Sequence, residues 1–390
     1  MPYVDPGDPS SQAASVGAAF EGEYGEQPVA VGRAPGRVNL IGEHTDYNGG
    51  LVLPLALPHA TYAAIAPRTD DTVRIASADA GARPWTGALS ALRPGSVEGW
   101  AAYPAGVLWA LRDAGIPLPG ADILVHGTVP LGAGLSSSAA LECAVALAAH
   151  ALITEPMDRQ VVIDACIRAE TEMAGAPTGG MDQTVSMLAS PDAALLIDFD
   201  SGSSAPVPLD LTGLALLVTD TRVSHELNDG GYAARREDCE RAAEELDLPS
   251  LRSATLADVA TLIDDRVRRR ARHVVTEIAR VSEVVEALSA GAWTSVGAAL
   301  AASHLSMRDD FEISCAELDL SVATAISAGA IGARMTGGGF GGSSIAVVPV
   351  ERVDAVALAI DTAFAGAGFR APQHLLAVPS PRANLVTRTA

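Results

Sequence analysis

Between Gly36 and Gly50 the run GRVNLIGEHTDYNGG packs Arg37, Glu43, His44 and Asp46 into ten residues. Carboxylates and an imidazole suit a sugar, whose hydroxyls each donate and accept hydrogen bonds. Placed acceptors also reject an epimer that would leave one buried group unpaired. The same stretch, with Asn39, Asn48 and several glycines, has the composition of an ordinary turn. A second run, PLGAGLSSSAALE (130–142), offers different chemistry. Gly132 and Gly134 let the backbone turn tightly and approach a ligand. Ser136, Ser137 and Ser138 then open a helix, whose free amides and positive dipole end favour an anion. The run lacks the GxxxxGK[ST] pattern of a Walker loop. Taken alone, a strand–loop–helix turn with serine caps accounts for it equally well. A third run, MTGGGFGGSSIAVV (335–348), is too glycine-dense for a helix or a plain strand. Its glycines are followed by strand-like SSIAVV, where a dinucleotide-binding motif would need a helix.

In order and spacing these runs resemble those of the GHMP kinases, the small-molecule kinases named for galactose, homoserine, mevalonate and phosphomevalonate. Within that group they resemble the galactokinases, from about Val29 to Val378. The resemblance implies that the segment Gly132, Ala133, Gly134, Leu135, Ser136, Ser137 and Ser138 cradles the phosphates of ATP. It implies that Ser138, together with Glu170 of AETEMAGAPTGGMDQ, holds Mg²⁺. It also places Glu43 and His44 at the 6-hydroxyl side of galactose and Asp46 at the 3- and 4-hydroxyls, where galactose differs from glucose. Arg37 is expected to face the anomeric oxygen and the transferring phosphate. In GGMDQ (179–183), Gly179 allows close backbone approach and Asp182 serves the C1 hydroxyl. Asp182 then acts as general base, or it orients the hydroxyl while Arg37 does the electrostatic work. Phosphoryl transfer needs little covalent help from a protein, so both roles stay open. Read without the family, Asp182 would cap the following helix and Glu170 would be a solvated helix carboxylate.

Tyr232, in HELNDGGYAARREDCE (225–240), matches a sugar-contacting tyrosine of the family. Trp100 and Tyr103, in GWAAYPAGV, match aromatics that flank adenine, although aromatics three apart on a helix face are more often core. The third glycine run matches a loop that packs on the phosphate loop and substrate region. The expectation is therefore an α+β, two-lobed GHMP kinase fold with the active site between the N- and C-terminal lobes. The implied reaction moves the γ-phosphate of ATP to the C1 hydroxyl of α-D-galactose, the first step of galactose catabolism. One alternative is a related kinase for N-acetylgalactosamine or arabinose. Another is a non-catalytic galactose and ATP sensor, which the intact Ser137-Ser138-Ala139 disfavours.

The elements that must carry these residues are legible in outline. Strands are expected at 29–35, 61–68, 72–79 and 121–130, and helices at 100–114, 137–152, 158–174 and 181–189. Strands follow at 193–198 and 214–219, then a mostly helical stretch from Tyr232 to about Gly329 with breaks near Pro249 and Asp264. Strands at 332–336, 343–349 and 374–379 and a helix at 351–366 close the chain. Residues 1–25 read as a poorly ordered leader, 26–200 as the N-terminal lobe and 201–390 as the C-terminal lobe.

Composition narrows the function further. All 26 basic residues are arginines, so no Walker, protein-kinase or Schiff-base lysine exists. The net charge of −21 excludes a nucleic-acid partner. Cys143, Cys166, Cys239 and Cys315 have neither disulfide-framework nor metal-ligand spacing and read as small buried hydrophobes. No apolar run is long enough to span a membrane, and the start of the chain has no signal-peptide pattern. The expected setting is the cytoplasm, with galactose and ATP as small-molecule partners, no membrane partner, and a monomer or weak oligomer. His273 and His304 are expected to be packing or surface residues, and RARHVVTE (270–277) a helix-packing stretch.

Overall fold

The computed structural model describes residues 3–154, 156–223 and 230–388. In chain order these form α1 (Pro9–Tyr24), β1 (Ala30–Asn39), β2 (Leu51–Val52), β3 (Pro54–Pro67), β4 (Thr72–Ser77), β5 (Trp85–Ala88), α2 (Ala102–Asp113) and β6 (Ala121–Gly127). Next come α3 (Ser137–His150), α4 (Arg159–Arg168), α5 (Met181–Leu188), β7 (Ala193–Asp198), β8 (Ser203–Pro208) and β9 (Leu214–Asp220). The remainder is α6 (Gly231–Glu245), α7 (Leu256–Val259), α8 (Asp265–Ser289), α9 (Trp293–Ser306), α10 (Ala316–Ser327), β10 (Gly332–Thr336), β11 (Ser343–Pro349), α11 (Val353–Ala367), β12 (Gln373–Ala377) and β13 (Asn384–Arg388).

A six-stranded sheet in the order β13-β1-β3-β6-β4-β5 forms the first layer. Its central strands are apolar on both faces because both are covered. Ala30, Ala34, Ala63 and Ile65 pack toward α2, α3 and α4. Val31, Tyr62 and Ala64 point the other way, against Ala13, Val16 and Phe20 of α1. A second sheet, β10-β11-β9-β12, carries α10 and α11, and a small sheet, β2-β7-β8, closes the flank. The long helix α8 lays Val281 and Val284 into a core shared with Leu40, Leu53 and Leu55, so it backs the chain just after β1.

Three expectations are corrected. Residues 9–24, read as part of a poorly ordered leader, form a helix. Asp8 caps it by accepting from the Ser11 amide, a proline sits in its first turn, and Gly25 ends it in the left-handed region. Ala13, Val16 and Phe20 make one buried stripe, too sparse among Ser, Gly and Gln to declare itself in the sequence. The division at residue 200 also fails in space. Strand β8 pairs with β7, and β13, from the far end of the chain, pairs with β1 at the edge of the first sheet. Lastly, β1 does not stop at Pro35. It runs to Asn39 with a register shift between Pro35 and Arg37, so Arg37 stands on a strand rather than a loop.

Candidate active site

A cavity of about 280 Å³ gathers segments from both ends of the chain. Its walls come from Arg37 of β1, the turn holding Glu43, His44 and Asp46, the run Gly134 to Ser138, Glu170, Asp182, Tyr232, and Gly337 with Gly338. Both glycine runs and both sugar-motif halves therefore meet in one place.

Asp182 lies at the centre. One oxygen accepts from Arg37 Nε (2.8 Å), the other from Arg37 (3.0 Å) and from the Ser136 hydroxyl (2.5 Å). A second amino group of Arg37 donates to the Gly134 carbonyl at 2.7 Å, tying the guanidinium to the phosphate loop. Arg37 is only 6% exposed, so its bidentate pairing is shielded from water. Ser136 adopts φ of 60°, a conformation that costs a non-glycine residue about 1 kcal/mol or more. That backbone turn carries the hydroxyl to Asp182. Asp182 is in the first turn of α5, but the residue before that helix is Gly180, without a side-chain cap. The carboxylate serves the cavity instead of the helix end.

Along the loop, Ser138 donates to Glu170 at 2.7 Å, so the expected pair of metal donors stands together. Glu170 is 8% exposed and lies in a π-helical turn, Ala169–Met173, that follows α4. Burial, opposed by the Ser138 hydrogen bond and reinforced by Asp182, pushes its carboxyl up to about 7. Among the described residues no cluster of three or more His, Cys, Asp or Glu side chains has metal-binding geometry. A hydroxyl and one carboxylate beside the loop expected to bind phosphate nevertheless fit Mg²⁺, which usually takes few protein ligands and completes its shell with water and phosphate. Ala133 is turned away from the cavity. It is fully buried, and its carbonyl accepts from the Ser343 hydroxyl.

The sugar motif divides into groups held in place and a group left open. Glu43 is 2% exposed. It accepts from Arg334 (2.9 Å), Thr336 (3.0 Å), the Gly337 amide (2.7 Å) and the Asn39 amide. Burial raises its carboxyl above the ordinary range against the pull of Arg334. His44 has Nδ1 2.8 Å from the Tyr47 hydroxyl and Nε2 3.2 Å from the Gly338 carbonyl. Since that carbonyl only accepts, Nε2 carries the proton and Nδ1 accepts from Tyr47. Burial, then His273, pushes the imidazole down to about 3, so it is neutral. Asp46 receives only backbone donors, from Tyr47 and its own amide, among the described residues. Burial and the neighbouring Asp182 push it up to about 6. Gly179 lies directly beneath it: a Cβ there would stand 2.0 Å from Asp46 Oδ2. Only glycine allows that approach.

Tyr232 lines the same cavity, its ring 5.0 Å from that of His44 and 5.7 Å from that of Tyr47. Asn228 and Asp229, ahead of it in the HELNDGGYAARREDCE run, lie outside the described residues. Beside the phosphate loop a separate apolar cavity is walled by Trp100, Val125, Val129, Leu131, Ser137 and Leu141. Trp100 thus stands where an adenine could stack. Tyr103 is not in that wall, and its hydroxyl feels Glu170 and Glu142. The two aromatics part because Trp100 belongs to a 3₁₀ turn, Gly99–Ala101, and Tyr103 to α2.

A family model described as a galactokinase galactose-binding signature matches residues 18–67. Models of the GHMP kinases N-terminal domain and C terminal match 102–190 and 284–366. A galactokinase of Streptomyces coelicolor is 50% identical over 379 residues, which is 95% of this chain and 98% of that protein. The chain belongs to the galactokinase family. As a member of that family it is an enzyme, an ATP-using kinase with the two-lobed GHMP fold. A galactokinase of Canis lupus familiaris is 41% identical over 359 residues, 89% of this chain and 91% of that protein. The crystal structure of Lactococcus lactis galactokinase complexed with galactose superimposes with a TM-score of 0.91 at 29% identity, covering 95% of this chain and 99% of that one. Methanococcus jannaschii mevalonate kinase, at 16% identity and a TM-score of 0.67 over 90% of this chain and 98% of that one, shares the fold alone.

Several residues that build this galactokinase-family site were not singled out from sequence. Arg334, Asn39 and Thr336 hold Glu43. Glu142 and Gln183 lie behind Glu170. Arg222 and Arg370 line a further cavity against Pro130, Leu131 and Gly132, so Arg37 is not the only arginine near the phosphate loop. His273 is fully buried and reaches the Glu43 carbonyl at 3.2 Å, so its packing role is to support the sugar motif.

Proposed function

We propose that this enzyme transfers the γ-phosphate of ATP to the C1 hydroxyl of α-D-galactose, with Mg²⁺, in the cytoplasm. The reading rests above all on the placement of Asp182, shared by Arg37 and Ser136 where the phosphate loop meets the sugar motif. A carboxylate offers about four lone-pair positions. Three are taken, which leaves Asp182 able to accept from one sugar hydroxyl. In the reaction the C1 oxygen bonds to the γ-phosphorus as the bond to the β-phosphate oxygen breaks, and the hydroxyl proton passes to Asp182. Arg37, fixed by Gly134 and Asp182, faces the charge that develops on the transferred group. Ser138 and Glu170 would hold Mg²⁺, which neutralises phosphate charge when bound. Asp46 is the open acceptor of the motif and takes the 3- and 4-hydroxyls, while Glu43 and His44, already engaged, shape the 6-hydroxyl side.

A sugar panel with ADP release as readout tests this. Galactose is expected to turn over at least about a hundredfold faster than glucose, because the wrong epimer leaves Asp46 unmatched. Comparable turnover of glucose, or faster turnover of N-acetylgalactosamine or arabinose, removes galactose as the substrate. Binding of galactose and ATP without ADP release makes the protein a sensor.

Asp46 also predicts a pH profile. Its carboxyl titrates near 6, and the sugar needs the ionised acceptor. Then kcat/KM for galactose falls about tenfold per unit as pH drops below that value. Asp46→Asn should have low kcat/KM and lack this limb, and a limb that survives the substitution assigns it elsewhere. Stability runs the other way. A carboxyl whose folded pKa is raised binds its proton more tightly in the fold. Its contribution is full below the unfolded pKa and is lost as pH rises through about 6.

A further inference from the structure

Behind the metal-donor pair lies a buried polar group that the reaction as described does not use. Gln183, next to Asp182 on α5, and Glu142, one turn beyond Ser138 on α3, are both fully buried. Gln183 Nε2 donates to Glu142 Oε2 at 3.0 Å and to Glu170 Oε2 at 2.5 Å. Glu170 Oε1 is meanwhile held by Ser138. Among the described residues, Glu142 Oε1 and Gln183 Oε1 are buried with no hydrogen-bond partner.

These orphans belong to the same two side chains that already share one hydrogen bond. Burying two bare oxygens is costly, because each gives up its hydrogen bonds to water without replacement. An ionised Glu142 would leave both bare, because neither oxygen can donate. A carboxylic acid closes a ring with a primary amide: the amide N–H donates to the acid carbonyl, and the acid O–H donates to the amide oxygen. One proton on Glu142 Oε1 therefore satisfies both atoms together. The surroundings agree. The side chains facing Glu142 include Cys166 on α4, Glu170 after it, Asp182 and Gln183 on α5, Cys143 on α3 and Tyr103 on α2, and none of these is a cation. Burial, then Glu170, pushes the Glu142 carboxyl well above the usual range.

We infer that Glu142 is a neutral, buried carboxylic acid and a positioning residue. It captures the amide oxygen of Gln183, takes one Nε2 hydrogen itself, turns the other toward Glu170, and so fixes the carboxylate that stands opposite Ser138 to hold the cation. This rests on the reading of Ser138 and Glu170 as Mg²⁺ donors. It makes Gln183 a two-way link, with a backbone step to Asp182 and a side-chain step to Glu170.

The test uses the full-length enzyme, with Mn²⁺ as the probe cation and ADP present. Glu142→Gln preserves a closed ring, now amide to amide, and is expected to keep Mn²⁺ affinity within about threefold. Glu142→Leu and Gln183→Leu open the ring and should weaken Mn²⁺ by about tenfold or more, the usual scale for a group that orients a ligand. Galactose affinity without nucleotide should stay unchanged in all three. An infrared difference spectrum of wild type against Glu142→Gln should show the carbonyl band of a protonated carboxylic acid at neutral pH. That measurement stands even if the leucine variants do not fold. Absence of the band, or a loss in Glu142→Gln as large as in Glu142→Leu, overturns the proposal. So does a Glu142→Leu variant that folds and binds Mn²⁺ normally while Glu170→Gln binds it weakly. If Glu170→Gln itself binds Mn²⁺ as wild type does, the metal reading falls, and the positioning role falls with it.

Discussion

Asp182→Asn should bind galactose within a few-fold of wild type and lose about 10²–10⁴ in kcat, the range expected when a positioned proton acceptor is removed. Asparagine keeps the size of the side chain and one accepting oxygen, so it can still hold the C1 hydroxyl. It cannot take the proton. Whichever oxygen is replaced, it also turns a donor toward an Arg37 nitrogen that now donates to it, and on one side toward Ser136 as well. Single-turnover phosphorylation, with galactose binding measured separately, isolates the chemical step. Turnover within about tenfold of wild type would make Asp182 an orienting group and move the work to Arg37. Arg37→Leu should independently cost about 10²–10³ through lost electrostatic stabilisation. Because the two side chains share their hydrogen bonds, the double variant should be little worse than the poorer single one.

How much of this was legible beforehand depended on how local the signal was. The phosphate loop announces itself because glycines and serines at fixed offsets are the cause of its shape. Gly132 and Gly134 do take positive φ, and α3 does start at Ser137. Asp182 and Asp46 could be named through the family, yet nothing in either stretch says that they line one cavity or that Gly179 lies against Asp46. Arg334 is the clearest omission. It lies in a strand whose neighbours are Ala333 and Met335, all three buried, and a lone arginine there gives no period or spacing to read. Its purpose appears only when residue 334 is set beside residue 43. Glu142 is similar: it is a single carboxyl in a helix that is otherwise largely apolar, and no spacing in the sequence pairs it with Gln183. The leader failed for the opposite reason, since α1 is stabilised by the sheet it covers and its own pattern is weak.

Arg334→Met should lower the unfolding free energy by about 3–5 kcal/mol, because one partner of a buried ion pair is removed while the other stays. The side chain is fully buried, pairs with Glu43 at 2.9 Å and donates to the Leu40 carbonyl at 2.9 Å. Met307 already packs against its outer end, so the methionine has an apolar neighbour to meet. What remains is a carboxylate that only neutral donors hold: Asn39, Thr336 and the Gly337 amide. Glu43 is already raised by burial and loses its main opposing charge. Its proton is then bound more tightly in the folded variant than in wild type. The deficit should accordingly be largest above neutral pH and shrink on acidification, as protonation of Glu43 relieves the buried charge. Adding Glu43→Gln should recover part of the stability, since a neutral amide needs no cation. Denaturant unfolding at several pH values gives all three quantities. Galactose affinity measured on the same variants tells whether the pair matters for more than stability. If Arg334 only holds the fold, the double variant regains binding along with stability. If Glu43 must present a charged oxygen to the sugar, stability returns and binding does not. A deficit under about 1 kcal/mol for Arg334→Met alone would mean that the three neutral donors suffice, and that the arginine is not what keeps the sugar motif in place.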